Sequence, residues 1–358
     1  LVLDLLESNK LISSNQKVVA YEELKMIKKK VYYSDNSIRY FIDWVYSVTP
    51  DEVLKKKKDL IINSTLDIKI QKIVQEAVKR KMSNYEKEIE AAVVVMNYNG
   101  SIKALLGGRS WSYSKFNRAT QSKRQLGSVF KTYVYLTALT MGYDLNDKLE
   151  DSPIKKGEWL PKNYSKKYEG IISLDRAFAI SSNVAAVRLS ERIGRENIIE
   201  LTKKLGIVSD IKNNPSMALG VASFSLLETV GSFGAICGNG IPVIPYGIEE
   251  IKLRNNNSIW KRDVPKRGET ITKNVQIKIK KLLREVINQG TGKKLSKVPL
   301  HVIGKTGTTQ RNRDAWFIGC TKKHVIGVWI GRDDDKSMKS IFGSTLPLAI
   351  FKDIIMKI

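Results

Sequence analysis

Apolar residues along this chain follow first a helical period, then a strand-like one, and each change marks an element. From Leu66 to Met82 the positions Ile70, Ile73, Val74, Ala77 and Val78 recur at i, i+3, i+4, i+7 and i+8, which predicts a helix with one buried face. AAVVVMNYNGSIKALLGG at 91–108 is two β-rich runs joined by Asn99-Gly100, the dipeptide that best tolerates the positive φ of a tight turn, so an antiparallel hairpin is expected. A strongly apolar helix is expected from about Ser128 to Met141, closed by Gly142 where a left-handed cap is favoured. Ser173 is the expected N-cap of another, with Leu174, Ala177 and Phe178 on one face. HVIGKTGTT at 301–309, DAWFIGCT at 314–321 and HVIGVWIGRD at 324–333 read as consecutive strands, and Ala349 to Ile358 as a final helix. A hairpin, then helices, then a meander imply one antiparallel sheet whose first and last strands pair, with helices packed on it.

The N-terminal part reads differently. Residues 1–30 are amphipathic, with a second helix start at Ser13-Ser14-Asn15 running through Met26. Residues 28–64 are patchy: VYY at 31–33, the aromatic residues Tyr40, Phe41, Trp44 and Tyr46, and a KKKK run at 55–58, which together suggest a connecting module. No stretch approaches the roughly 18 apolar residues of a membrane span. The opening LVLDLLESNK carries acids where a signal peptide carries a basic region and begins with Leu1, so a fragment whose targeting segment lay upstream is expected.

Composition narrows the chemistry. The formal charge is +25, unevenly spread: residues 1–90 hold 17 Lys+Arg against 14 Asp+Glu, and residues 91–358 hold 44 against 22. A solvated basic surface accounts for this, with attraction to an anionic membrane or wall surface as the alternative. The absence of arginine-aromatic interleaving and of a helix-turn-helix or RNP-like pattern argues against nucleic acid. The two histidines, His301 and His324, form no metal-ligand spacing, so no metal or other cofactor is expected, and a serine-histidine triad is disfavoured. Lysine is left as the base. Cys237 and Cys320 lack paired CxxC spacing and read as two ordinary buried thiols.

The sharpest local signal is Lys305-Thr306-Gly307, the single KTG of the chain. On a strand edge it offers a cation, a hydroxyl and a bare backbone that a ligand can approach. KTG goes with S-x-x-K and S-D-N motifs in active-site-serine enzymes. S-x-x-K begins at Ser14, Ser112, Ser128, Ser152, Ser209 and Ser258, so the pattern alone decides nothing. Ser128 stands out because Gly127 permits a sharp turn before it and an apolar helix follows. There Ser128 and Lys131 share a helix face at i, i+3, and apolar surroundings would lower the Lys131 pKa until its amine can take the serine proton. A helix N-cap serine with a snorkelling lysine is the bland alternative. Of the S-x-N strings, Ser34-Asp35-Asn36 is a literal SDN that precedes the nucleophile. Ser181-Ser182-Asn183 lies between Ser128 and Lys305, where its hydroxyl can relay a proton and its amide hold a carbonyl; a capping turn is the plain reading.

With these residues in place, the sequence resembles the transpeptidase domain of class A, bifunctional penicillin-binding proteins. FNRATQSKRQLGSVFK at 116–131, LPKNYSKKYEG at 160–170, AFAISSNVAAVRL at 177–189, GKTGTTQRNRDAWFIG at 304–319 and VIGVWIGRDDD at 325–335 resemble that family's segments in order and approximate spacing. The resemblance covers roughly residue 60 to the end. It implies an α/β penicillin-recognising fold, a five-stranded antiparallel sheet with helices on both sides. It implies Ser128 as nucleophile, Lys131 as its base, Ser181 and Asn183 as the second motif, and Lys305, Thr306 and Gly307 on the opposite wall. The backbone N–H groups of Ser128 and Thr308 would form the oxyanion hole.

The organisation implied is a remnant of the glycosyltransferase C-terminal end at 1–28, a linker at 29–88 and the transpeptidase domain at 89–358. The glycosyltransferase catalytic motif and membrane anchor are missing from this chain, so glycan polymerisation is not expected, and a location outside the cytoplasmic membrane is an expectation for the parent protein. The expected partners are peptidoglycan stem peptides on lipid II-derived glycan, and β-lactam antibiotics. D,D-Transpeptidation leads; D,D-carboxypeptidation shares its first half with water as acceptor. A β-lactam-sensing domain or a wall-binding fragment of a split gene is the non-enzymatic alternative. A β-lactamase is disfavoured because no E-x-x-x-L-N string is found.

Overall fold

The computed structural model describes residues 2–26, 38–55, 59–154, 159–265 and 267–358. The VYY and Ser34-Asp35-Asn36 strings, and all but the first lysine of the KKKK run, lie outside these. Two compact units are present, Leu1–Asn36 and Ser37–Ile358. In the first, helices Val2–Ser8 and Ser14–Met26 are tied by Lys17, whose amine reaches Asp4 and Glu7 at 2.8 and 2.6 Å. No helix among the described residues is long and apolar enough to cross a membrane.

The second unit is organised by a five-stranded antiparallel sheet: β1 (Ile89–Asn97), β2 (Ile102–Leu106), β3 (Ile303–Thr308), β4 (Asp314–Cys320) and β5 (His324–Arg332), in spatial order β3-β4-β5-β1-β2. The expected pairing of first and last strands is present: β1 lies antiparallel to β5 with Val93 opposite Val328. β1 is buried along nearly its whole length, which explains why its run at 91–96 is continuously apolar instead of alternating. The β1–β2 turn carries Gly100 at φ +94, as the Asn-Gly signal requires.

Helices cover the sheet. α1 (Ile68–Met82) packs on β2 and on α6 (Leu346–Ile355), which also lies against β4 and β5 through the Phe317–Phe351 ring contact at 4.7 Å. α4 (Leu226–Cys237) packs on β1 and β5, and α5 (Lys273–Asn288) on β3. α2 (Lys131–Thr140) and α3 (Asn183–Ile193) pack together and build the helical wall opposite β3. The segment expected to be a connecting module contributes to this unit. Its helix Arg39–Ser47 buries Tyr40, Phe41 and Trp44, and its strand Leu60–Ser64 pairs with Ile248–Leu253 in a small three-stranded sheet.

The structure corrects the cysteines. Cys237, last residue of α4, and Cys320, last residue of β4, form a disulfide across 83 positions of sequence. They are not two independent thiols. Their separation carries no spacing signal, and only the packing of α4 beside the sheet brings them together. A crosslink closing a loop of this length stabilises a fold by roughly 2–4 kcal/mol. Cys237→Ser with Cys320→Ser should lower the urea midpoint by a corresponding amount, with no further effect of a reductant; an unchanged midpoint would refute a stabilising bond.

Candidate active site

The cleft forms where the turn before α2 meets the free edge of β3. Gly127 holds φ +52, and a Cβ there would lie 2.5 Å from the Thr308 carbonyl oxygen, so glycine alone permits the approach. Its N–H donates to the Gly220 carbonyl at 3.0 Å, fixing the turn from its other side. The expected helix over 128–141 begins later than the apolar pattern suggests: Gly127–Val129 is a 3₁₀ turn, and the α-helix starts at Lys131. Ser128 sits in that turn, part-exposed, on a cleft of about 1120 Å³ also lined by Ser181, Asn183, Thr306 and Thr308. Of the six serines that begin an S-x-x-K, Ser128 alone lines this cleft.

Lys131 lies behind it, fully buried at the start of α2. Its amine donates to the Ser181 carbonyl and to Asn183 Oδ1, both at 2.6 Å, and lies 3.4 Å from Ser181 Oγ. Lys305, on β3 and also fully buried, donates to the same Ser181 Oγ at 2.9 Å. Burial holds the Lys131 amine well below the ordinary lysine range; nearby Lys305 pushes it further down and Asp151 opposes. Burial brings Lys305 down to about 7. One hydroxyl therefore bridges the two lysines that the sequence placed on opposite walls.

Ser181 reaches this position through strained backbone, with φ +60 in a non-glycine residue. Ser182 is the N-cap of α3, its oxygen accepting from Ala185 N at 3.0 Å. The capping turn and the second motif thus coexist on neighbouring residues. Thr306 Oγ1 is 2.6 Å from Thr291 Oγ1, and Thr308 Oγ1 accepts from Gly343 N at 3.0 Å. A Cβ at Gly307 would lie 2.4 Å from the Leu126 carbonyl oxygen, the same close approach seen at Gly127. All eight residues singled out in the sequence as catalytic or ligand-binding meet at or directly behind one cleft. Among the described residues no group of three or more His, Cys, Asp or Glu is placed to hold a metal ion.

Sequence reasoning missed the support behind the second motif. Asp151 is fully buried, and its Oδ1 accepts from Ser182 Oγ at 2.7 Å and Asn163 Nδ2 at 2.6 Å, while Oδ2 accepts from Glu169 N at 2.9 Å. Asn163 Oδ1 in turn accepts from the backbone of Asn183 at 2.9 Å and Val184 at 3.2 Å. These bonds lock the 159–169 loop to the start of α3. Nothing local in the sequence marks Asp151, because its partners are 12, 18 and 31 positions away. Asp151→Ala removes the acceptor of three donors; Ser182 Oγ and Asn163 Nδ2 keep the Asn163 Oδ1 and Lys167 carbonyl acceptors at 3.3 and 3.0 Å, while the Glu169 N–H is left unpaired, at about 1–3 kcal/mol before relaxation. It should lower stability to urea by about 1–3 kcal/mol; an unchanged midpoint would exclude a supporting role for Asp151.

Residues 91–356 match the penicillin binding protein transpeptidase domain. The chain is 36% identical over 274 residues to penicillin-binding protein 1A of Aquifex aeolicus, covering 74% of this chain and 38% of that protein. It is 32% identical over 308 residues to penicillin-binding protein 1B of Haemophilus influenzae, covering 82% and 39%. The chain thus spans less than half the length of these curated relatives. Its fold is similar to penicillin-binding protein 1A from Haemophilus influenzae, with TM-score 0.82 and 20% identity over 99% of this chain and 75% of that one. It is also similar to PonA1 from Mycobacterium tuberculosis, with TM-score 0.78 and 21% identity over 89% of each. A serine-lysine cleft beside a KTG strand edge, on a sheet of this order and in a chain with these relatives, belongs to the transpeptidase domain of class A penicillin-binding proteins.

Proposed function

We propose that this domain is a D,D-transpeptidase that acylates Ser128 with peptidoglycan stem peptides ending in D-Ala-D-Ala and transfers the acyl group to an amine of a neighbouring stem peptide. The observation that carries this reading is the convergence of the buried Lys131 and Lys305 amines on the Oγ of Ser181, which lines one cleft with Ser128. A neutral Lys131 amine that gives its two N–H groups to the Ser181 carbonyl and Asn183 Oδ1 has a lone pair left for the Ser128 proton.

Ser128 Oγ attacks the penultimate D-alanine carbonyl as its proton moves to Lys131, and the backbone N–H groups of Ser128 and Thr308 stabilise the resulting oxyanion. Collapse breaks the C–N bond. D-Alanine leaves with a proton relayed through Ser181 Oγ, and an ester remains on Ser128. The acceptor amine then attacks that ester, Lys131 takes its proton, and the C–O bond breaks to regenerate the serine hydroxyl. Lys305, Thr306 and Thr308 recognise the terminal carboxylate of the donor, and Asn183 holds its acyl side. Water in place of the amine would give D,D-carboxypeptidase activity by the same first half. β-Lactams enter as substrate mimics; a PonA1 structure from Mycobacterium tuberculosis is of a complex with penicillin V. An extracytoplasmic location fits the Cys237–Cys320 disulfide, since such bonds persist in oxidising compartments.

Two measurements test this. Benzylpenicillin should add covalently to Ser128, located by mass spectrometry of the digested adduct; an adduct on another serine, or none on folded protein, would sink the assignment. The second-order acylation rate constant should be bell-shaped in pH. It rises as Lys131 loses its proton and falls above about 7 as Lys305 loses the charge that recognises a carboxylate, with apparent values belonging to the coupled pair. Lys131→Met should abolish acylation, whereas Lys305→Met should slow it, keep the acid limb and flatten the alkaline one. A profile flat from about pH 5 to 9 with chemistry limiting would contradict both roles.

A further inference from the structure

β3 ends at Thr308, and the chain turns out of the sheet through residues 309–313. Arg311 and Asn312 hold φ +58 and +52 in succession. Non-glycine residues adopt this conformation at a cost, and such positions cluster at binding sites. The neighbouring side chains are satisfied: Asn312 donates to the Lys339 carbonyl at 2.9 Å, and Arg313 pairs with Asp335 at 2.6 Å. Arg311 is not. Its exposed guanidinium lines the cleft and makes no hydrogen bond, ion pair or ring contact among the described residues. Glu169, the one acidic residue of the cleft lining among the described residues, is already held by Arg176 through two hydrogen bonds of 2.8 and 2.9 Å. Lys162 and Lys167 of the 159–169 loop add cations to the same lining.

The direction of a bound donor follows from the strand. β3 is an edge strand, to which an extended peptide can add. With the attacked carbonyl at Ser128 and the Thr308 N–H, and the leaving residue's carboxylate toward Lys305 and Thr306, the upstream peptide runs past Thr308 toward Arg311. Arg311 lines the same cleft three positions beyond Thr308, on the side toward which the side chains one or two residues upstream of the attacked carbonyl would run. A planar guanidinium there matches a carboxylate through two parallel hydrogen bonds. We infer that Arg311 is a specificity residue that binds a second carboxylate on the acyl donor, one or two residues upstream of the scissile bond. This rests on the acyl-enzyme reading above.

Benzylpenicillin and carbenicillin share one β-lactam core and differ by a carboxylate on the side chain that stands where the upstream peptide stands. Second-order acylation rate constants for both are measured on the 358-residue chain, on Arg311→Asn, which tolerates positive φ, and on Arg311→Lys, which keeps the charge. Arg311→Asn is expected to slow carbenicillin roughly 3- to 10-fold while benzylpenicillin changes less than about twofold. Arg311→Lys should recover part of the carbenicillin rate, and raising salt from about 0.05 to about 0.5 M should shrink the advantage of arginine over asparagine. Equal losses with both ligands, as a structural role would give, or no loss with either, would overturn the inference. Failure of benzylpenicillin to acylate the unmutated chain would overturn the acyl-enzyme reading instead, and the Arg311 assignment with it.

Discussion

Two fully buried lysine amines share one hydroxyl in the lining of the cleft, and this constraint governs the site. At full charge they would repel strongly in a low-dielectric interior, and each would also bear the cost of losing its hydration. Burial accordingly holds both amines below the ordinary lysine range, Lys131 further depressed by the nearby Lys305. The surrounding structure holds this arrangement in place. β3 carries Lys305, α2 carries Lys131, and a backbone strained at Ser181 places the hydroxyl between them. Asp151 sits one layer back as a buried anion bound to Ser182, and its field opposes the depression of Lys131.

Much of this was legible in the sequence because each motif also has a local structural meaning. Gly127 before Ser128 signals a turn that a side chain would block, the apolar run after it signals a buried helix, and KTG interrupts a strand with a glycine. FNRATQ and VIGVWIGRDDD read as separate family segments, and the structure shows why they go together. Arg118 of the first is buried against Asp333 of the second, its Nε donating to Oδ1 at 2.9 Å, with Glu90 beside it. The central sheet and the pairing of its first and last strands followed from hairpin, helices and meander alone.

What escaped the sequence was long-range chemistry between residues with no local signature. The disulfide joins the ends of a helix and a strand, and Asp151 gathers donors from the 159–169 loop and from the start of α3. The delayed start of α2 is of the same kind. Apolar periodicity runs through Val129 and Phe130 and suggests a helix from Ser128. The tight backbone contacts at Gly127, to Thr308 and Gly220, instead impose a 3₁₀ turn first.

The pairing of β1 with β5 also bears on how the chain folds. These neighbours at the middle of the sheet stand more than two hundred residues apart in sequence, and α6 follows the later one. Until β5 is available, β1 has a long, apolar, unpaired edge and β2 as its strand partner. Contacts of such separation form slowly, and exposed edges of this composition invite pairing with other chains. A chain synthesised or translocated from its N-terminus therefore completes this sheet only after β5 is made, and a truncation that removes β5 and α6 would take away the middle of the sheet instead of trimming its margin.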